Sequence, residues 1–348
     1  MARAQTRHGH MWIRPRRGRV LQIVKLQGEQ EVMLRKLVTM LLVAAALMTP
    51  TGSARATTII KIGTLAPGDS PWGKEFKRWA SEVSKDTNGD IELDFQWNGQ
   101  AGDETLAVEK IRSGQLDGAG VSSLGLAQTG VSDMIIFNAP GLFANWAKLD
   151  AVRDALRGDL DKEFEAKGFR VVGWMDAGAA KTMTVGFELQ NPTELRGKGV
   201  FFTNGDPIAP KIYSVIGGIT PKLFGIADIL PGLANGAINV VTIPPLVVEQ
   251  LQWAPHITDM CTQTVSFYIG GIVMSSQRMQ SLPPAARDAL VKRGAEMTER
   301  LTKSVRNLDA QAFARLKTSK KAYDLTDDSH KAWADVFQKV TQQLRGTL

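Results

Sequence analysis

The residues that could do chemistry are few and scattered. Beyond residue 56 the chain has two histidines, His256 and His330, far apart in sequence, and one cysteine, Cys261, inside an apolar segment. A metal site needs several ligands at close spacing, and no such grouping occurs. Ser122 lacks the glycine two residues on that a Gly-x-Ser-x-Gly elbow demands. No Walker A loop, Gly-x-Gly-x-x-Gly fingerprint or Cys-x-x-Cys pair is present. Asp117, Glu109, Glu194 and Asp206 could each bring a carboxylate to a cleft, but none has a readable partner. Acyl or phosphoryl transfer needs a nucleophile, a base and an orienting group together. The expectation is therefore no catalysis, no cofactor and no metal, with Cys261 and His256 as structural side chains.

Aromatic surface near predicted strand ends is abundant instead: Trp72, Phe143, Trp174, Phe201, Phe202, Phe224 and Trp253. For any one of these, core packing is at least as good a reading as a ligand contact. Phe76 and Trp79 follow a helical stripe and are assigned to the core. Trp72, Trp174 and Phe201 each sit at an element end beside Gly, Pro or polar residues, which suits a pocket wall. Ser122, Ser123, Asn204 and Thr242 lie at strand ends, where they could orient a ligand.

The elements that must position these residues read as α/β units. Between Leu195 and Pro245 apolar strands alternate with short helices, and each strand ends in small or polar residues. In open α/β sheets ligands sit beyond the strand carboxyl ends. Ile111-Arg-Ser-Gly-Gln-Leu-Asp-Gly-Ala-Gly-Val parallels Leu233-Ala-Asn-Gly-Ala-Ile-Asn-Val-Val-Thr-Ile, each a helix end, a glycine stop and a strand. Two such units imply two lobes facing across a cleft. Thr58 to Leu65 reads as a buried strand, and Ser70-Pro71 as a helix start. Trp72, Phe76, Trp79, Ala80 and Val83 form that helix's apolar stripe. Ile91, Leu93, Phe95 and Trp97 alternate with polar residues as a half-buried strand. Phe169–Met175 and Thr182–Phe187 read as separate strands, with Asp176-Ala-Gly-Ala-Ala a small-residue crossover and possible hinge. Pro283-Pro284 opens a helix to about Thr318, ~50 Å long at 1.5 Å per residue, enough to brace both lobes. A last helix runs from Asp328 to Leu344.

Met33-Leu-Arg-Lys, the uncharged run Leu37–Met48, and Ala54-Arg55-Ala56 read as a secretory signal cleaved after Ala56. Residues 1–32 are either an extended basic region or a start assigned too early; the latter is favoured, because Met33 begins a complete signal. Residues 1–56 hold ten Lys/Arg and two Glu, which leaves 32 basic against 33 acidic residues and a net charge of −1. Nucleic-acid binding needs a basic face, so no nucleic-acid partner is expected. One cysteine permits no internal disulfide. An exported, disulfide-free chain of 292 residues fits a Gram-negative periplasm.

Taken together, the chain resembles the extracytoplasmic solute-binding subunits of tripartite ATP-independent periplasmic (TRAP) transporters, from Ile60 to about Phe337. The resemblance rests on the Thr87-Asn-Gly-Asp-Ile-Glu-Leu93 stretch leading into Trp97-Asn-Gly-Gln, on Ile111-Arg-Ser-Gly-Gln-Leu-Asp, on Ala139-Pro140-Gly-Leu-Phe143, and on Pro192-x-Glu-Leu-Arg-Gly197. It implies an α/β fold: a two-lobed periplasmic binding protein with mixed sheets, hinge strands and a long bracing helix. Residues 57–179 plus 265–283 would form lobe I, 180–264 plus 319–348 lobe II, and 284–318 the bracing helix. It also implies a small-molecule ligand and integral membrane partner subunits, with the carrier expected to be a monomer.

Most members clamp organic acids through an arginine in a Gly-x-Lys-x-Arg motif. This chain reads Gly197-Lys198-Gly199-Val200-Phe201, so Phe201 stands in the arginine's place. A bidentate guanidinium–carboxylate pair typically costs ~2–5 kcal/mol to truncate. A buried phenylalanine offers about 1.5–3 kcal/mol of apolar burial instead. The expected ligand is neutral or largely apolar, packed by Trp72, Phe201 and Trp174 and flanked by Phe143 and Phe224. Two alternatives stay open: Lys181 or Lys198 supplies the missing positive charge for an organic acid, or the fold serves an exported enzyme or a sensor subunit.

Overall fold

In the computed structural model, residues 33, 35–40 and 56–344 are described. The signal's apolar run beyond residue 40 and Ala54-Arg55 lie outside them. The chain divides into Met1–Ala56 and Thr57–Leu348, and the second unit carries the fold. Among the described residues no helix is long and apolar enough to cross a membrane.

The strands are β1 (Thr58–Thr64), β2 (Ile91–Gln96), β3 (Gly118–Ser122), β4 (Phe169–Thr184), β5 (Phe201–Phe202), β6 (Lys222–Leu223), β7 (Val240–Ile243), β8 (Asp259–Ser275) and β9 (Lys321–Tyr323). The helices are α1 (Pro71–Asp86), α2 (Glu104–Arg112), α3 (Ser123–Ala127), α4 (Trp146–Ala166) and α5 (Ala209–Ile216). They continue as α6 (Ile226–Ala234), α7 (Pro245–Gln250), α8 (Ser276–Ser281), α9 (Pro284–Ser319) and α10 (Asp327–Leu344). One mixed sheet has the order β2-β1-β3-β8-β4-β7, with β9 on β8; β5 and β6 form a small second sheet.

Local chemistry accounts for the ends. Ser70 Oγ accepts the Gly73 amide at 3.2 Å and Pro71 opens α1. Asp103 caps α2 through the Leu106 amide at 2.8 Å. Gly114 and Gly236 adopt φ of +74° and +77° past their helices, a conformation glycine reaches without steric cost. The two helix–glycine–strand units of the sequence thus exist as α2–β3 and α6–β7.

The two lobes share one spine. β4 and β8 pair antiparallel from Phe169↔Ser275 to Thr184↔Asp259. One end of β8 also pairs with β3, through Ser122↔Gly270, in the first lobe. At the other end β8 pairs with β9 and β4 with β7, in the second lobe. The sequence reading of two strands and a crossover is corrected here: β4 is continuous, and Asp176–Ala180 is a stretch of register shifts within it. The ladder survives because its irregular stretch is caught by α9. Asp309 Oδ2 accepts the Ala179 amide at 2.8 Å, and Oδ1 accepts the Leu246 amide at 2.9 Å. Gly178 has φ +133°, and a Cβ there would lie 2.6 Å from Pro244 Cβ and 2.7 Å from Asp309 Cγ.

Helix α9 braces the spine from behind. A Cβ on Gly173 would fall 2.3 Å from Thr298 Oγ1, so strand and helix touch backbone to side chain. Asp176, fully buried, is held by Arg153 Nη1 at 2.9 Å and by Arg306 Nε. Arg306 also takes Asp150 in a two-point contact at 2.7 and 2.8 Å, and Arg153 takes it at 2.7 Å. This network joins α4, β4 and α9. Burial pushes the Asp176 carboxyl up while both guanidiniums pull it down.

Two outcomes follow from these contacts. Asp309→Ala leaves the buried Leu246 amide and the part-buried Ala179 amide without an acceptor, at a cost of about 1–3 kcal/mol for the buried one; urea unfolding should show the lower midpoint, and an unchanged midpoint would refute the role. Hydrogen bonds from Arg306 hold the Asp150 carboxyl below its ordinary range. A depressed folded pKa gives stability that is present above the unfolded value, ~3.9, and is lost as pH falls through the folded one. Asp150→Asn should therefore lower Tm at neutral pH and flatten the acid limb of a Tm–pH curve.

Candidate functional site

A cavity of about 880 Å³ opens between the lobes. Trp72, Thr64, Ser122, Leu124 and Asn138 line it from the first lobe. Phe201, Phe202, Asn204, Tyr213, Phe224 and Thr242 line it from the second. Met175, Thr182 and Tyr268 of the spine form the floor, and His330, Trp333 and Phe337 of α10 close a further side. Among the described residues none of those lining the cavity is a lysine or an arginine, whereas Asp103, Glu104, Asp176 and Asp206 are all present.

The wall's polar groups are already largely committed. Glu104 accepts Ser122 N at 2.7 Å and Ser122 Oγ at 2.6 Å, which ties the start of α2 to the end of β3. Burial pushes its carboxyl up against those bonds. Asp206 Oδ1 accepts the Ile208 amide at 2.8 Å and the Ala209 amide at 3.3 Å, and burial raises this carboxyl too. Tyr213 donates to the Phe201 carbonyl at 2.6 Å, and Tyr268 to the Thr242 carbonyl at 3.2 Å. Thr182 and Thr242 share a hydrogen bond of 3.1 Å across β4 and β7. The Trp72 indole N–H donates to the Asp176 carbonyl at 3.3 Å, seating its ring against the spine.

The lobes also touch across the mouth. Gln128 Nε2 donates to the Gly205 carbonyl at 3.1 Å, and Thr105 Oγ1 to the Asn204 carbonyl at 3.4 Å. Gly205 has φ +79°, and a Cβ on it would come within 2.6 Å of Gln128 Nε2. The absence of a side chain there allows the approach.

Of the ten residues singled out from sequence, Trp72, Ser122, Phe201, Asn204, Phe224 and Thr242 are brought to the cavity wall. Ser123, Phe143, Trp174 and Lys181 are not. Ser123 is fully buried and bonds Asn138 Oδ1. Phe143 stacks on Phe137 at 6.2 Å, leaving Pro140, Gly141 and Leu142 to reach the cavity. Trp174 packs edge-on against Phe137 and Phe164 at 6.4 and 6.2 Å. Lys181 Nζ donates to the Thr262 carbonyl and Thr264 Oγ1, both at 2.7 Å, and lies 4.6 Å from the Phe313 ring centre. Strand alternation explains two of these: Met175 and Thr182 face the cavity, so their neighbours Trp174 and Lys181 face away. Lys198 Nζ sits 4.2 Å over the Phe187 ring, off the wall.

Sequence reasoning missed Tyr213, Tyr268, Glu104 and Trp333, and took Phe76 as core alone; it is fully buried and also underlies the cavity. The chain has three tyrosines. One inside an apolar strand, as Tyr268 is, was the available signal, because a buried hydroxyl needs a partner. Trp253 is core, at 1% exposure. Asp117 pairs with Arg278 at 2.9 Å, and Glu194 accepts the Gln190 and Asn191 amides, so neither carboxylate is free for a cleft. Among the described residues no group of three or more His, Cys, Asp or Glu could hold a metal ion.

Known proteins agree with this architecture. The C4-dicarboxylate-binding periplasmic protein DctP of Rhodobacter capsulatus is 22% identical over 292 residues, 82% of this chain and 86% of its own. A TRAP periplasmic solute-binding protein from Ralstonia eutropha H16, solved with bound (S)-2-acetolactate, superimposes with a TM-score of 0.76 at 22% identity. That match covers 83% of this chain and 94% of the other. One from Sulfitobacter sp. NAS-14.1, solved with β-D-galacturonate, gives 0.75 at 18% identity over 82% and 94%. The model of the bacterial extracellular solute-binding proteins of family 7 (DctP) matches residues 62–346. With that match over a two-lobed frame and its cleft, the chain belongs to the family 7 extracellular solute-binding proteins.

Proposed function

We propose that this protein carries a neutral or largely apolar small ligand to the integral membrane subunits of a TRAP-type transporter. It does so as a monomer, without catalysis, after export and cleavage behind Ala56. The observation that carries the ligand reading is the cavity wall: Phe201 is on it, and no lysine or arginine is among the described lining residues. The solved relatives named above hold acids. A buried carboxylate needs a charge-assisted partner, and this wall offers carboxylates of its own instead. Trp72, Phe201 and Phe224 supply ring surface, while Ser122, Asn204 and Thr242 supply polar contacts. In this reading residues 57–179 with 265–283, and 180–264 with 319–348, move as lobes about the irregular middle of β4 and β8. The organic-acid alternative through Lys181 or Lys198 is weakened by geometry, since both ammonium groups are engaged elsewhere.

Native mass spectrometry of protein purified from its own periplasm should give a mature N-terminus at Thr57 and a retained mass without a carboxylate. Calorimetry on stripped protein should find no tight binding of succinate or galacturonate. Phe201→Arg should gain affinity for such acids by about thirtyfold, the lower end of what one clamp supplies. Tight succinate binding by the unaltered protein, lost in Lys181→Ala, would reverse the reading.

A further inference from the structure

We infer that the ligand carries a protonated amine, or another cationic N–H donor, held against Asp206 between the Tyr213 and Tyr268 hydroxyls. This rests on the carrier role and the cation-free wall proposed above, keeps the largely apolar form of that ligand, and replaces its neutral form by one with a cationic end. The argument is an inventory of donors and acceptors. A tyrosine hydroxyl has one proton to give. Tyr213 gives its proton to the Phe201 carbonyl and Tyr268 gives its own to the Thr242 carbonyl, so both oxygens turn only lone pairs outward. As a carboxylate, the form that a bound cation favours over the burial that raises its pKa, Asp206 only accepts: Oδ1 takes two backbone amides, and among the described residues no ion pair reaches either oxygen. All three groups line the same cavity, and besides burial the Asp206 charge pushes both hydroxyls up. An acceptor-only corner is complementary to a donor and repels a carboxylate or a carbonyl oxygen.

The other acids on the wall do not compete for this assignment. Asp176 is matched by Arg153 and Arg306. Glu104 is spent on Ser122, and Asp103 on its helix cap. Glu104, Asp103 and Asp206 all lack a positive partner, but the first two use both oxygens on neutral donors, whereas among the described residues no hydrogen bond reaches Asp206 Oδ2. An unpaired charge in a half-buried site is unfavourable until a partner arrives. The rest of the wall suits a cation: Phe201, Phe202 and Phe224 are among its lining residues, and aromatic rings attract an ammonium group. A metal ion would need several anionic ligands converging, and among the described residues Asp206 is in no such group.

The test is calorimetric titration of stripped, full mature protein with three probes of one shape: 2-phenylethylammonium, neutral 2-phenylethanol and anionic 3-phenylpropionate. The ammonium should bind at least about tenfold tighter than the alcohol, and the acid weakest. Asp206→Asn keeps the backbone cap but loses the charge, and should erase the preference for the ammonium over the alcohol. Tyr268→Phe removes one acceptor and should reduce the preference; unchanged thermal unfolding of both variants separates a binding effect from misfolding. Equal binding of ammonium and alcohol overturns this inference but leaves the apolar-ligand reading standing. Strongest binding of the acid overturns both, and no ammonium binding at millimolar concentration, or a preference that survives Asp206→Asn, overturns the inference alone.

Discussion

The β4–β8 ladder is the constraint on which the rest depends. It is one antiparallel pairing that belongs to both lobes, so neither lobe's sheet is complete without it. Its weak point is its middle, where register shifts at Asp176/Gly178 and Ala180/Lys181 interrupt the pairing. An irregular strand leaves amides that the ladder cannot satisfy, and buried amides must find acceptors. Asp309 supplies one from α9 and, with its other oxygen, seats the start of α7. A side chain on the bracing helix thus stands in for a missing ladder bond at the place where the lobes meet.

The same region explains the cleft's electrostatics. Asp176 is fully buried at the spine's irregular centre and meets two arginines there. Burying such a network is costly in desolvation and contributes little net stability, but it has one satisfactory geometry. That geometry aligns α4, β4 and α9, and neither arginine is among the residues lining the cavity. The arginines of this part of the fold are consumed by structure, which leaves the wall with carboxylates, hydroxyls and rings.

Much of the frame was legible along the chain. The apolar stripe of α1, the Ser70 cap with Pro71, and the glycine stops at Gly114 and Gly236 are local signals, and the structure places elements accordingly. Helix α9 ends within a residue of its expected bound. The continuity of β4 was not legible. Asp176-Ala-Gly-Ala-Ala has the composition of a break, and what keeps it a strand is a carboxylate 130 residues away.

The sequence by itself determined the class of fold and the family frame, because periodicity, caps and short motifs are properties of neighbouring residues. Only the tertiary structure decided which face each side chain turned. Met175 and Thr182 line the cavity while Trp174 and Lys181, one residue away, do not. A strand alternates faces with each residue, and a bulge reverses the phase, so facing depends on pairings that no local pattern records. Whether a hydroxyl still has a proton to offer is settled in the same way. Tyr213 and Tyr268 became acceptors because the fold set the Phe201 and Thr242 carbonyls within their reach.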